Sequence, residues 1–349
     1  MQLNNSEHQI RNHSAKIDLE KFDIQHVEDY FRMISLYSAA EELNIFSSIE
    51  NGCNTPESIA SKEGLAITTV RQLMNGLLSF GMFLETSQGL KFSPSWAELL
   101  NKHGRKAFKG KLDVSLNTLE RWKGIPSIAR NECAGKSYED EMFNSGQHLE
   151  RYLIAVRETN RKHAEWLAQY LDIKGYIPKS EGLLLDIGGG HGLYAFEILR
   201  NAPLLKAIIV DLSKTLEVFS TIGKSDPMFS RTTMLSCDVS ENEINTLPAN
   251  LILMNDLLHS FSAEQKVSVL KKVSKVLMPE GTLIISKFKY NDPALDRDKA
   301  LFSMKLHVNS NNGYLEKDAE MLQILKDSGF DVIDSAEFEE KITFFARLH

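Results

Sequence analysis

The stretch LLLDIGGGHGLYAFEILRNAPLLKAIIVDL, residues 183–212, leaves an apolar run through Gly188, Gly189, Gly190, His191 and Gly192, enters a helical pattern and ends in a second apolar run. Glycines at a strand-to-helix turn let the backbone approach a ligand and take positive φ without a Cβ clash. A tight turn with no ligand would use the same residues, so the loop needs support from elsewhere. Two acids supply it. Asp211 ends the second run about 20 residues on, where a carboxylate can take ribose hydroxyls. Asp238, in SCDVS, ends the third, placed to hydrogen-bond an adenine amino group or to hold the adjacent turn.

Two positions choose among nucleotides. A dinucleotide fingerprint places a third glycine at position 193, for close helix packing beside a pyrophosphate, and Leu193 stands there. Asp186, just before the glycines, can accept a hydrogen bond from an amino group. An amino-acid-bearing cofactor has that group and a nicotinamide dinucleotide lacks it. S-adenosylmethionine fits on both counts. The expected cofactor set is Asp186, Gly188, Gly190, Asp211, Leu212, Asp238, Val239 and Asn255.

Downstream, short apolar runs alternate with helical stretches: GLLLDI, LKAIIVD, TTMLSC, NLILMN, GTLIISKF, FDVIDSAEF and KITFFARL. Such alternation predicts a mostly parallel seven-stranded Rossmann-like sheet, an α/β fold with helices on both faces. The last two runs are joined only by residues around Glu339 and Glu340, too few for a crossover helix, so they pair as an antiparallel hairpin. Upstream, residues 147–172 predict a long amphipathic helix or a pair of helices, with Gly175, Pro178 and Gly182 marking a boundary. The expected division is a mobile tail over 1–24, a helical winged-helix domain over 25–146, linking helices over 147–178 that line an acceptor pocket, and a cofactor-binding domain over 179–349.

The winged-helix pattern rests on local signals. Phe31, Ile34, Leu36, Ala39 and Leu43 recur at helical spacing, closed by Ile45 and Phe46. Thr55, Pro56 and Ser58 open a helix that Gly64 ends. Thr68 and Thr69 open the next, with Val70, Leu73, Leu77 and Leu78 on one face, and Gly81 ends it. MFLETSQGLKFSP reads as a hairpin turning at Gln88 and Gly89. A DNA-reading helix needs cations for phosphates and polar groups for base edges. Residues 55–80 offer only Lys62 and Arg71, against Glu57 and Glu63. The apolar TTVRQLMNGLLSF suits packing against a second copy of the chain instead.

The net charge of −7 argues against a general nucleic-acid or anionic-membrane binder, which needs basic surface. No apolar run approaches the roughly 20 residues of a membrane span. The polar N-terminus carries no signal-peptide core. Cys53, Cys133 and Cys237 lie far apart without metal-ligand or disulfide spacing, which points to a reducing cytosol.

From about residue 28 onward the chain resembles the class I S-adenosylmethionine-dependent methyltransferases, and more narrowly the O-methyltransferases of plant caffeate and bacterial polyketide or pigment tailoring. LLLDIGGGHG, VDL, CDVS, LMNDLLHSFSAEQKVSVLKKVSKVLMPEGTLIISKF and AEMLQILKDSGFD carry the likeness in combination. The resemblance implies a homodimer built through the N-terminal helices, and cofactor binding by the glycine loop, Asp211 and Asp238. It implies transfer of a methyl group to a small aromatic or polyketide-like acceptor, with His259 at the position of the general base. A histidine suits that task near neutral pH. A helix-start histidine satisfied locally is the plainer alternative.

The family pattern is incomplete here. Ser260 and Phe261 replace the aspartate and tryptophan that follow the family histidine. Lys287 stands where a glutamate would orient it, and ungapped matching puts Leu315 at a second glutamate position, with Glu316 one step on. A nearby ammonium would lower the histidine's pKa. Lys287 is then either a solvated strand-end residue or a partner for an anionic acceptor. Tyr152, Val156, Phe302, Met304, Leu306 and His307 are candidates for the acceptor wall, His307 also as a substitute base, though such residues are more often plain core. No metal set is evident. Two alternatives stay open: a family member that keeps the cofactor for non-methylating chemistry, and a winged-helix regulator with a ligand-sensing nucleotide domain.

Overall fold

The computed structural model describes residues 23–86, 89–103, 108–109, 112, 116, 119, 121–130, 146–292, 296–310 and 313–349. They form two compact units divided between Lys123 and Gly124. The expected tail lies outside the described residues except for its end, where the Asp23 side chain accepts from the Gln25 amide and Ile24 opens a helix. Gln88 and Cys133 also lie outside them.

In the first unit the expected opening helix is two. Helix α1, Ile24–Glu42, stops before Asn44, whose left-handed backbone (φ 58°) redirects the chain into α2, Ile45–Glu50. Helix α3, Pro56–Glu63, starts on a reciprocal Thr55–Ser58 capping box and ends at Gly64, φ 68°. Helix α4, Ile67–Ser79, begins just ahead of Thr68 and buries Val70, Leu73, Met74 and Leu77. Strands β1, Phe83–Thr86, and β2, Gly89–Phe92, pair antiparallel before α5, Pro94–His103. The Arg71 guanidinium lies 2.7 Å from Glu57, so that cation is already neutralised on the surface.

The second unit opens with the short α6, Ile125–Ala129, and then α7, Gly146–Ile173, one continuous helix where one or two were expected. Next come β3, Gly182–Ile187; α8, Leu193–Asn201; β4, Leu205–Asp211; α9, Ser213–Ile222; and β5, Thr232–Ser236. Strand β6, Ala249–Asn255, leads into α10, Ala263–Ser274, and β7, Leu277–Phe288. Helices α11, Arg297–Ser310, and α12, Asp318–Asp327, precede the hairpin β8, Phe330–Phe338, and β9, Lys341–Leu348, which turns through Glu339 at φ 49°.

These strands make one seven-stranded sheet in the order β5-β4-β3-β6-β7-β9-β8. Pairing is parallel from β5 to β7, and β9 is antiparallel to both its neighbours. Strand period decides the layers. Leu185, Ile187, Ile252, Met254, Leu283 and Ile285 join a core with residues of α10 and α12, while Leu184, Leu251, Leu253 and Ile284 join one with α7 and α8. The order reverses between β3 and β6, so the loops after these strands diverge. Open α/β sheets bind ligands in such a crevice. No helix among the described residues is long and apolar enough to cross a membrane.

Candidate active site

One wall of the crevice is the glycine loop. Gly188, Gly190 and Gly192 take φ of 68°, 44° and 68°. A Cβ on Gly188 would lie 2.8 Å from Leu257 Cδ1, and one on Gly192 would lie 2.3 Å from Phe219 Cε2, so both positions exclude side chains. Asp211 braces the loop as well as ending β4: its Oδ2 accepts from the Gly190 amide at 2.9 Å and its Oδ1 from the Leu212 amide at 2.8 Å. Its remaining lone pairs can still take ribose hydroxyls.

Asp186 is 2% exposed, and its Oδ2 has no hydrogen-bond partner. Burial pushes its carboxyl up to about 7. Asn255, at the end of β6, has both amide atoms buried without partners. Unpaired buried polar atoms are costly, and several at one sheet edge call for a ligand. S-adenosylmethionine carries hydroxyl and amino donors and ring-nitrogen acceptors, the kinds of partner these atoms lack, so the residues fit it. Asp238 lies past the end of β5 rather than at it. Its Oδ1 holds the turn through the Ser240 amide (3.0 Å) and hydroxyl (2.6 Å), the second of its two expected roles. Leu212 is half-buried beside Asp211, and Val239 is buried.

The other wall follows β6. His259 sits in a 3-10 turn, Leu258–Ser260, ahead of the Ser262–Gln265 capping box of α10. Its carbonyl accepts from the Tyr314 amide at 2.8 Å, which fixes the backbone and leaves the ring free. The half-buried imidazole stands 6.5 Å from the Phe288 ring and 6.3 Å from that of Phe302, between centroids. Burial lowers its pKa from the usual 6.5; the Asp256 and Glu316 carboxylates oppose that shift, and the Lys266 and Lys341 ammoniums add to it. The ring is therefore neutral at pH 7, the form a base requires.

Lys287 lies near the end of β7. The residue shares the Leu283–Ile285 face of β7, is 3% exposed, and donates to Asp318 Oδ1 at 2.6 Å. Neither offered role fits: it is neither solvated nor open to an acceptor. Leu315 is buried in the second family glutamate position, while the adjacent Glu316 is wholly buried and held by Lys266 at 2.7 Å. The Lys266 ammonium also lies 3.6 Å from the centre of the Tyr314 ring. Of the remaining acceptor candidates, Val156, Met304 and His307 are half-buried and Tyr152 is exposed. Phe302, on the same helix as Met304 and His307, brings its ring toward His259.

Sequence reasoning missed a buried polar cluster between the sheet edge and α7. Lys341 Nζ, at the start of β9, donates to Asn160 Oδ1 at 2.7 Å, to Asp256 Oδ2, and over a longer 3.4 Å to Tyr194 Oη. Tyr194 Oη pairs with His163 Nδ1 at 2.8 Å, and His163 Nε2 lies 3.5 Å from Thr343 Oγ1. Burial drops His163 to about 3 and His191, in the glycine loop, to about 4, so both rings are neutral. The one sequence signal was a lysine opening the otherwise apolar KITFFARL. Among the described residues, no group of His, Cys, Asp and Glu could hold a metal ion.

Comparison with known proteins bears on this geometry. A family model for the O-methyltransferase domain matches residues 155–331. The 3-hydroxy-5-methyl-1-naphthoate 3-O-methyltransferase of Streptomyces sahachiroi is 22% identical over 308 residues, 86% of this chain and 87% of its own. The phenazine O-methyltransferase of Lysobacter antibioticus is 20% identical over 280 residues, 78% and 80% of the two chains. An O-methyltransferase family protein of Burkholderia thailandensis shares the fold, with a TM-score of 0.69 at 18% identity over 93% of this chain and 97% of that one. With its glycine loop, the acid Asp211 at the end of β4 and its reversed strand order, the chain belongs to the O-methyltransferase family, whose methyl donor is S-adenosylmethionine.

Proposed function

We propose that the protein methylates an acidic hydroxyl of a small aromatic acceptor, with His259 as the proton acceptor, and works as a dimer built through its first unit. The observation that carries the catalytic reading is the neutral His259 ring, open at both nitrogens among the described residues and flanked by Phe288 and Phe302. S-adenosylmethionine supplies a methyl group activated on a sulfonium. The acceptor hydroxyl gives its proton to His259 as the oxygen attacks, and the Asp256 and Glu316 carboxylates favour the imidazolium that forms. Glu316 is already engaged with Lys266, which weakens this base. An acceptor that ionises readily, such as a hydroxynaphthoate, suits it, in line with the naphthoate and phenazine named for the two bacterial relatives. Phe288 and Phe302, with Met304 and His307 on α11 and Tyr152 and Val156 on α7, are the proposed acceptor wall. Lys287 is given no part there.

Ile24, Val27, Tyr30 and Phe31, on α1, are 48% to 65% exposed, an apolar stripe that favours a second copy as its cover. Cys53 and Cys237 are free thiols, which suits a cytosolic location. The catalytic reading is tested by incubating the enzyme with methyl-labelled S-adenosylmethionine and aromatic hydroxyl acceptors of graded acidity. Label should move to oxygen, faster for the more acidic hydroxyls. Consumption of acceptor without label transfer would instead favour non-methylating chemistry, for which Lys287 and Leu315 at the two family glutamate positions are the motive.

A further inference from the structure

In the cluster around Lys341, Asp256 favours the His259 imidazolium, but the lysine, Asn160 and Tyr194 have no assigned task in methyl transfer. A buried ion pair is a poor stabilising device, because the desolvation of both charges offsets their attraction. Its placement suggests another use. Asp256 follows β6 directly and its backbone is left-handed, φ 52°, a conformation that costs free energy in a non-glycine residue. Lys341 heads β9, beside the end of β7, and is 7% exposed. The pair lies between the two walls: Lys341 Nζ is 5.3 Å from the centre of the Phe288 ring, and the Tyr194 ring beside it packs 6.2 Å from that of His191 in the glycine loop, between centroids.

The pair is also incompletely used. Asp256 Oδ2 is taken by Lys341, while its Oδ1 is buried and has no partner. Two hydrogens of the Lys341 ammonium go to Asp256 and Asn160, and the third faces Tyr194 Oη at 3.4 Å, longer than an ordinary hydrogen bond. One open acceptor thus stands beside one weakly engaged donor, and the two carry opposite charges. An α-amino acid presents the complementary arrangement: an ammonium and a carboxylate on a single carbon.

We propose that Asp256 and Lys341 receive the amino-acid end of the methyl donor, its ammonium going to the open Asp256 oxygen and its carboxylate to the Lys341 ammonium. The proposal rests on the reading of S-adenosylmethionine as the cofactor. Asn160 and Tyr194 are positioning residues that hold the lysine side chain in reach. Without the donor the two charges neutralise each other; with it, each gains a partner and the cluster stays neutral.

Calorimetry with two nucleosides tests the assignment without using activity. S-adenosylhomocysteine carries the amino-acid end, and 5′-methylthioadenosine has the same nucleoside and thioether without it. Wild-type protein should bind the first more tightly, by about 10- to 100-fold, the range of lost charge-assisted hydrogen bonds. Lys341→Met and Asp256→Asn should each erase most of that difference while leaving 5′-methylthioadenosine within about twofold of wild type. Variants that weaken both nucleosides equally would mark the cluster as structural and overturn the proposal. Equal binding of the two nucleosides by wild-type protein would overturn it even if neither variant folds. Failure of wild-type protein to bind either one would bring down the cofactor reading itself.

Discussion

Asp186 and His259 are each displaced from ordinary ionisation by burial, with opposite consequences. Asp186 holds a proton up to about pH 7 in the ligand-free protein. The same shift sets a stability trend. A carboxyl raised from 3.8 to about 7 contributes stability that is complete below 3.8 and lost as pH climbs through 7, so the ligand-free protein should become easier to denature over that window. His259, lowered by burial, should place the acid limb of kcat below pH 6.5. His259→Gln should reduce kcat by about 10²- to 10⁴-fold with little change in donor binding, which separates a base from a binding residue. A loss confined to KM would contradict that role.

The Lys266–Glu316 pair belongs to the scale of elements, because it ties α10 to the segment that enters α12. Both side chains are wholly buried, so removing one strands the other. Lys266→Met should destabilise the protein by about 3–5 kcal/mol in chemical denaturation, and Lys266→Met with Glu316→Leu should recover most of the loss. The exposed stripe on α1 gives a second prediction. Tyr30→Asp with Phe31→Asp should convert a dimer to a monomer in light scattering while helical content is kept. At this scale the sequence was legible where signals are local. Thr55–Ser58 capping, Gly64 and the Glu339–Glu340 turn were all readable as boundaries. It was less so where a single residue bends the chain, as Asn44 does between α1 and α2, or where pairing extends a strand, as in β7. That strand runs through Pro279 and begins at Leu277, although its apolar run starts only at Gly281.

For the molecule as a whole, the alternation of apolar runs and helices was enough to predict the seven-stranded sheet and its closing hairpin. The candidate site was only half readable. The glycine loop announces itself by spacing and His259 by its place in the family resemblance, whereas the Lys341 cluster gathers Asn160, His163, Tyr194, Asp256 and Thr343, residues no local pattern connects. Lys287 misled for a related reason: its position matched a family glutamate, but strand parity and Asp318 settle where its charge goes. All the residues proposed to hold the cofactor lie in the second unit. Hydrogen exchange with S-adenosylhomocysteine bound should therefore slow the amides of β3, β4, β6 and their following loops, and leave α1 to α5 unchanged. Protection spread evenly over the chain would contradict this division. The bond from the Gly190 amide to Asp211, an acid also proposed to hold the ribose, limits redesign. A protein engineer hoping to accept altered sugars would turn first to this acid, yet replacing it also unties the Gly190 amide. Donor selectivity and loop shape are inherited together here, so a new preference would require rebuilding both at once.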